Sequence, residues 1–151
     1  MKKKYVIIFF VAYLILLIKV ILFKYYPTVM WLDQMHRVSV WQQFANGNFV
    51  PLKTILYYIS GEPTWNIAIR NIVGNIILFI PLGLFVPVIY RRPITLRYVL
   101  VIAFLLSVAL ESMQVLLRAG SVDIDDVILN VLGAVVGYGI FVGLRHCARL
   151  V

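Results

Sequence analysis

Apolar residues fall into four long runs separated by shorter polar stretches, and each run is close to the roughly 20 residues with which an α-helix crosses a hydrocarbon layer about 30 Å thick. Residues 5–23 form the first, broken only by Lys19, which lies near the end and can extend its ammonium to the interface. Residues 71–90 carry no formal charge but hold Asn71, Asn75, Pro81 and Pro87. Residues 98–117 are interrupted by Glu111 and Gln114, and residues 127–144 have Asn130 near their start. The pattern predicts an all-α integral membrane protein: one domain over residues 1–151, a four-helix transmembrane bundle with a long outer segment at 24–70.

Composition agrees, since 63% of residues are hydrophobic and only 13% charged, against roughly 45–50% and 25% in soluble domains. A large water-soluble catalytic domain is excluded. The net charge of +8 does not point to nucleic acid, because the basic residues sit mainly at the ends of apolar runs. Lys2, Lys3, Lys4, Arg91, Arg92, Arg97, Arg145 and Arg149 fall on one side of a four-span topology, and Asp33, Glu62, Asp123, Asp125 and Asp126 on the other. Both termini are therefore expected in the cytoplasm. The first run has the basic head of a signal peptide, but no small-residue cleavage site follows it, so a retained helix is expected. The lone Cys147 supports no intramolecular disulfide.

The outer segment is rich in aromatics (Trp31, Trp41, Phe44, Phe49, Tyr57, Tyr58, Trp65), which favour the headgroup layer, so it is expected to lie on the membrane surface. Asn46-Gly47-Asn48 reads as a turn, and residues 52–59, following Pro51, as a short interfacial or partly re-entrant helix.

The polar residues inside the spans are not scattered. Asn71 and Asn75 share one face at i, i+4, with Arg70 beside them; Ser107, Glu111, Gln114 and Arg118 make a second stripe; Asp126, Asn130, Gly133 and Gly137 make a third. Alternating span direction brings all three to the outer third of the membrane. A carboxylate there costs about 2.5–3.5 kcal/mol unless it faces the bundle and finds a partner, which predicts Glu111 turned inward, with Arg118 or Arg70 as its ion partner. One reading is interhelical hydrogen bonding at about 1 kcal/mol each. The other is a pocket open to the outer face that uses Glu111, Asn75, Asn130 and Asp126 together, because two arginines, several carboxylates and three amides exceed what packing needs.

Other features have plainer explanations. Gly133-x-x-x-Gly137 and Gly139-x-x-x-Gly143 allow close helix approach, within the bundle or between copies. Pro81 is expected to kink the second span. Asp123, Asp125 and Asp126 suit a helix N-terminus as caps, a hard-cation site with Glu111 being the alternative. His36 and His146 stand on opposite sides of the membrane, so no histidine-based metal site or triad is expected. GxSxG, HExxH and P-loop patterns are missing, and no metal or cofactor is expected.

Four strings in order resemble the VanZ-like family of bacterial membrane proteins: Asn48-Phe-Val-Pro-Leu-Lys53-Thr-Ile55, Asn71-Ile-Val-Gly-Asn75-Ile-Ile-Leu-Phe-Ile-Pro81-Leu-Gly83, Glu111-Ser-Met-Gln114, and Asp123-Ile-Asp125-Asp126-Val-Ile-Leu-Asn130-Val-Leu-Gly133. The similarity runs from about Asn46 to Tyr138. Where the family often has a basic residue two or three positions before the first aspartate, this chain has Gly120 and Ser121, with Arg118 nearby. The resemblance implies a bacterial cytoplasmic membrane and a role in resistance to teicoplanin, a lipid-bearing glycopeptide that binds the D-alanyl-D-alanine end of cell-wall precursors. It implies no established reaction.

Two mechanisms follow. In the first, the protein binds the lipoglycopeptide or alters its access, with membrane lipid and drug as partners; Arg70, Asn71, Asn75, Gln114, Arg118, Asp123, Asn130, Asn48 and Lys53 are the candidate binding residues. In the second, the cluster is a small membrane-embedded transferase or hydrolase acting on a lipid-linked cell-wall precursor, with Glu111 as general acid or base and Asp126 or Asp123 as second carboxylate. The lack of a recognisable nucleophile favours binding.

Overall fold

The computed structural model describes residues 3–23, 37–90 and 94–150. Lys2, Trp31, Asp33, His36, Arg91 and Arg92 lie outside the described residues.

Six helices are described: α1 (Lys3–Leu22), α2 (Val40–Ala45), α3 (Lys53–Ile59), α4 (Trp65–Ile89), α5 (Leu96–Leu116) and α6 (Ile124–Leu150). α1, α4, α5 and α6 are long and apolar enough to span a membrane. The chain is thus an α-helical multi-pass membrane protein, with no strand among the described residues. Two spans are longer than the hydropathy pattern indicated. α4 begins at Trp65 rather than Asn71 because Thr64 takes the Ile67 N–H and starts the helix, and Arg70 is accommodated on an exposed face. α6 likewise begins at Ile124 rather than Val127, before the apolar stretch proper. α4 runs unbroken through Pro81 and Pro87.

α4 and α6 make the most extensive helix pair. Their contact is backbone against backbone: a Cβ on Gly133 would stand 2.1 Å from the Ile76 carbonyl oxygen, one on Gly137 2.0 Å from that of Ile80, and one on Gly83 2.1 Å from that of Ala134. The first small-xxx-small pair therefore serves packing within the bundle. Gly139 and Gly143 face open space. Leu17, Ile21, Phe79, Leu82, Val99, Ala103 and Leu110 fill the remaining core, and Tyr13 donates to the Leu78 carbonyl at 2.8 Å, tying α1 to α4.

α2 was not anticipated, although Ser39-Val-Trp-Gln42 is a capping box: the Gln42 N–H donates to Ser39 Oγ and the Ser39 N–H to Gln42 Oε1. α5 ends in a Schellman motif, Ala119 N–H donating to Gln114 O and Arg118 N–H to Val115 O. Arg118 occupies the left-handed position, φ +54°, where glycine is usual. This turn sends the chain back across the end of the bundle that also carries α2 and α3, called here the loop end.

Candidate functional site

At the loop end two of the quoted strings meet. Asn48 lies in a single parallel bridge with Asp123: its N–H donates to Val122 O at 2.7 Å, and its carbonyl accepts from Ile124 N–H at 3.0 Å. Its side chain donates to Thr54 Oγ1 and to Asp123 Oδ1. Asp123 also accepts the Asp125 N–H, the bond an N-cap makes for its own helix.

Asp125 does something different. Its carboxylate, 0% exposed, accepts the N–H of Leu52 at 2.6 Å, of Thr54 at 2.7 Å and of Ile55 at 3.1 Å. α3 has no side-chain cap of its own, so α6 supplies it. These bonds also hold Leu52 at φ +68°, a left-handed conformation that costs a non-glycine residue roughly 1–2 kcal/mol. Hydrogen bonds to a charged acceptor contribute about 1.5–3 kcal/mol each, enough to offset that strain. The hard-cation alternative is not met, since Asp125's oxygens are taken by backbone and no described group of three His, Cys, Asp or Glu is placed to hold a metal ion.

Beneath this clamp, polar side chains tie helix to helix. Asn75 donates to Asp126 Oδ1, joining α4 to α6, and Asn130 donates to Ser107 Oγ at 2.9 Å, joining α6 to α5. Because α5 and α6 run in opposite directions, the Ser107–Asn130 contact sets Glu111 opposite Asp126 one turn nearer the loop end. Glu111 is 4% exposed, and its Oε2 accepts the Asp123 N–H at 3.0 Å. Gln114 gives its amide to the Ile21 carbonyl, closing the end of α1. Asn71 donates to the Tyr58 hydroxyl at 2.9 Å and so ties α4 to α3. Burial, with Asp126 and Asp123 near, raises the Tyr58 phenol above its ordinary value.

Above the clamp is a cavity of about 480 Å³. Gln43 of α2, Asn46, Asn48, Thr54, Tyr57 and Tyr58 of α3, and the 120–123 turn line it. Beside it runs an apolar groove of about 620 Å³ between α2 and α5, formed by Val40, Trp41, Phe44, Val115, Leu116, Ser112 and Val122. Val122 belongs to both. α2 divides them, turning Gln43 to the polar side and Trp41 and Phe44 to the apolar one.

The arrangement redraws the expected pocket. Of the candidate residues, Asn48 and Asp123 line the cavity; Asn71, Asn75, Glu111, Gln114, Asp126 and Asn130 are buried in the network below it, because each finds a partner on a neighbouring element. Arg70 and Lys53 are exposed, and Arg118 is half-buried. Asp125 was read only as a cap or cation ligand at its own helix and Tyr58 only as an interfacial aromatic, and Gln43 was not read at all. Asp125 stood within a quoted string, but i, i+4 spacing selected Asp126; Gln43 follows directly on the overlooked capping box.

A multi-pass helical membrane protein with its polar residues gathered at one end is the class that fold and site define. A family model described as VanZ/LLP1 matches residues 10–145, nearly the whole chain, and the protein belongs to that family. Neither curated proteins nor solved structures gave a match.

Proposed function

We propose that this protein resides in a bacterial cytoplasmic membrane with both termini inside, and lowers susceptibility to teicoplanin-type lipoglycopeptides by binding the drug or altering its access at the outer face. The observation that carries this reading is the junction of a polar cavity and an apolar groove at Val122. A molecule with a polar body and a lipid tail can occupy both at once, whereas a wholly polar one gains only the first. Family membership supports the link to glycopeptide resistance. The test compares isogenic cells with and without the gene against teicoplanin and against a glycopeptide lacking the lipid tail. Protection against teicoplanin alone is expected; equal protection against both, or none, would remove the reading. A reporter fused after Val151 should give a cytoplasmic signal.

One observation favours a second reading, a transferase or hydrolase on a lipid-linked envelope substrate. Buried Glu111 accepts the N–H of cavity-lining Asp123, and Asp126, also buried, lies on the facing stripe of α6, which supports this reading. A modified envelope lipid found only in cells carrying the protein, and lost in Glu111→Gln at normal abundance, would establish it.

A further inference from the structure

We infer that the loop-end cavity is a binding site for the uncharged sugar head of a membrane glycolipid, whose acyl chain lies in the adjoining groove. The inference rests on the amphiphile reading of this site and adds the chemistry of the head.

The lining decides against a phosphate. No lysine or arginine stands among the described lining residues, and Asp123 adds a carboxylate, which repels an anion. Helix N-termini are the other common anion sites, because their free N–H groups point at the ligand. Here those groups are already used: at α3 by Asp125, and at α6 by the Asn48 carbonyl and Asp123. The cavity therefore offers amides, hydroxyls and phenols to a neutral group.

A second observation is that the cavity wall offers hydrogen-bonding groups not engaged by described residues. Gln43 is only 8% exposed and lines the cavity, and its side-chain amide, which makes no hydrogen bond with any described residue, is still reached from the cavity. Tyr58 accepts a hydrogen bond from Asn71, but its own hydroxyl proton has no partner among the described residues. An amide can both donate to and accept from adjacent hydroxyls, the pairing a sugar ring presents. The Tyr57 and Tyr58 rings add apolar faces against which a sugar's C–H face can pack. A volume of about 480 Å³ falls within the roughly 300–1,000 Å³ of small-molecule sites. The groove adjoins this cavity at Val122, which lines both, and has room for a chain beside Trp41.

Trp41 lines the groove and serves as the reporter. The full chain, with Trp31 and Trp65 changed to Phe, is placed in phosphatidylcholine nanodiscs. Small mole fractions of chain-brominated monoglucosyl diacylglycerol, phosphatidylglycerol or diacylglycerol are added, and quenching of Trp41 is followed. The glucosyl lipid should quench saturably, at a half-saturating fraction at least about fivefold below those of the other two, the factor that one or two neutral hydrogen bonds supply. Gln43→Leu should raise that fraction about fivefold without lowering the melting temperature. Asn46→Ala, which removes an exposed side chain that lines the cavity and makes no hydrogen bond with a described residue, should do the same if Gln43→Leu fails to fold. Equal quenching by phosphatidylglycerol or by headless diacylglycerol would overturn the inference, as would folded cavity variants that bind like the parent. Selective binding in a protein that gives no drug protection would overturn the resistance reading and leave this one standing; protection without selectivity for the sugar would do the reverse.

Discussion

The bundle's middle and its loop end are held by opposite means. Between α4 and α6 the backbones touch at Gly83, Gly133 and Gly137, and what holds them is the absence of side chains. At the loop end, irregular backbone is held by side chains reaching across the fold, above all Asp125 to Leu52, Thr54 and Ile55. In hydrocarbon no water competes, so close packing suffices and an unsatisfied polar group is costly. At the membrane surface the chain turns out of regular helix, and its N–H groups need acceptors that the bundle must provide.

This contrast can be broken most forcefully at Gly133. In Gly133→Leu the new side chain meets the Ile76 carbonyl, an atom that cannot swing aside, and a loss beyond about 3 kcal/mol is expected. Size-exclusion chromatography in detergent should show little folded protein. Gly139→Leu, with nothing within 4 Å, should behave like the parent. Equal damage at Gly139 would mean that copies pack there.

Asp125→Asn should come next, at about 3 kcal/mol, because one accepting oxygen becomes a donor aimed at backbone N–H groups. The loss should be local: hydrogen exchange at Thr54 and Ile55 should rise by orders of magnitude while α4 and α6 stay protected. If α4 and α6 open together with the loop, the two regions are one cooperative unit.

Tyr58→Phe removes the acceptor for Asn71 and should lower loop-end stability by about 1 kcal/mol. It also carries a pH signature. The Tyr58 pKa is raised from 10.0 in the folded state, so the unfolded chain loses this proton first and stability falls as pH rises above that value. Melting curves of the parent should show this alkaline loss, reduced in Tyr58→Phe. The smallest effect is expected at Leu52→Gly, which relieves a left-handed backbone while removing an exposed side chain. It should be neutral or stabilise by up to about 1 kcal/mol in the same melting assay.

The same division explains what could be read from sequence. Spans announce themselves by composition, so α1, α4, α5 and α6 were legible to within a few residues except at the start of α4 and the end of α6, where Arg70 and Arg145 broke the hydropathy run but not the helix. Helical spacing also found the faces on which Asn75, Glu111, Asp126 and Asn130 lie, since i, i+4 geometry is local. It could not say that Asn75 meets Asp126, or that Asn130 meets Ser107. Partners on other elements are a property of packing, and so the stripes suggested one open pocket where the fold makes a buried network with a cavity above it. Asp125, one residue off the stripe, turns to α3 for the same reason.

The Asp125 clamp also imposes an order of assembly. Its acceptors serve N–H groups 70 to 73 positions earlier in the chain, and Asn48 waits on Val122 in the same way. During synthesis, the 48–55 segment leaves the ribosome long before the aspartate that will hold it. Until the last helix has been threaded into the bilayer, that segment has no scaffold, and Leu52 has no reason to adopt its left-handed turn. The cavity is therefore a late product of biogenesis: a chain truncated before Ile124 can insert three spans and still lack the clamp beneath its cavity.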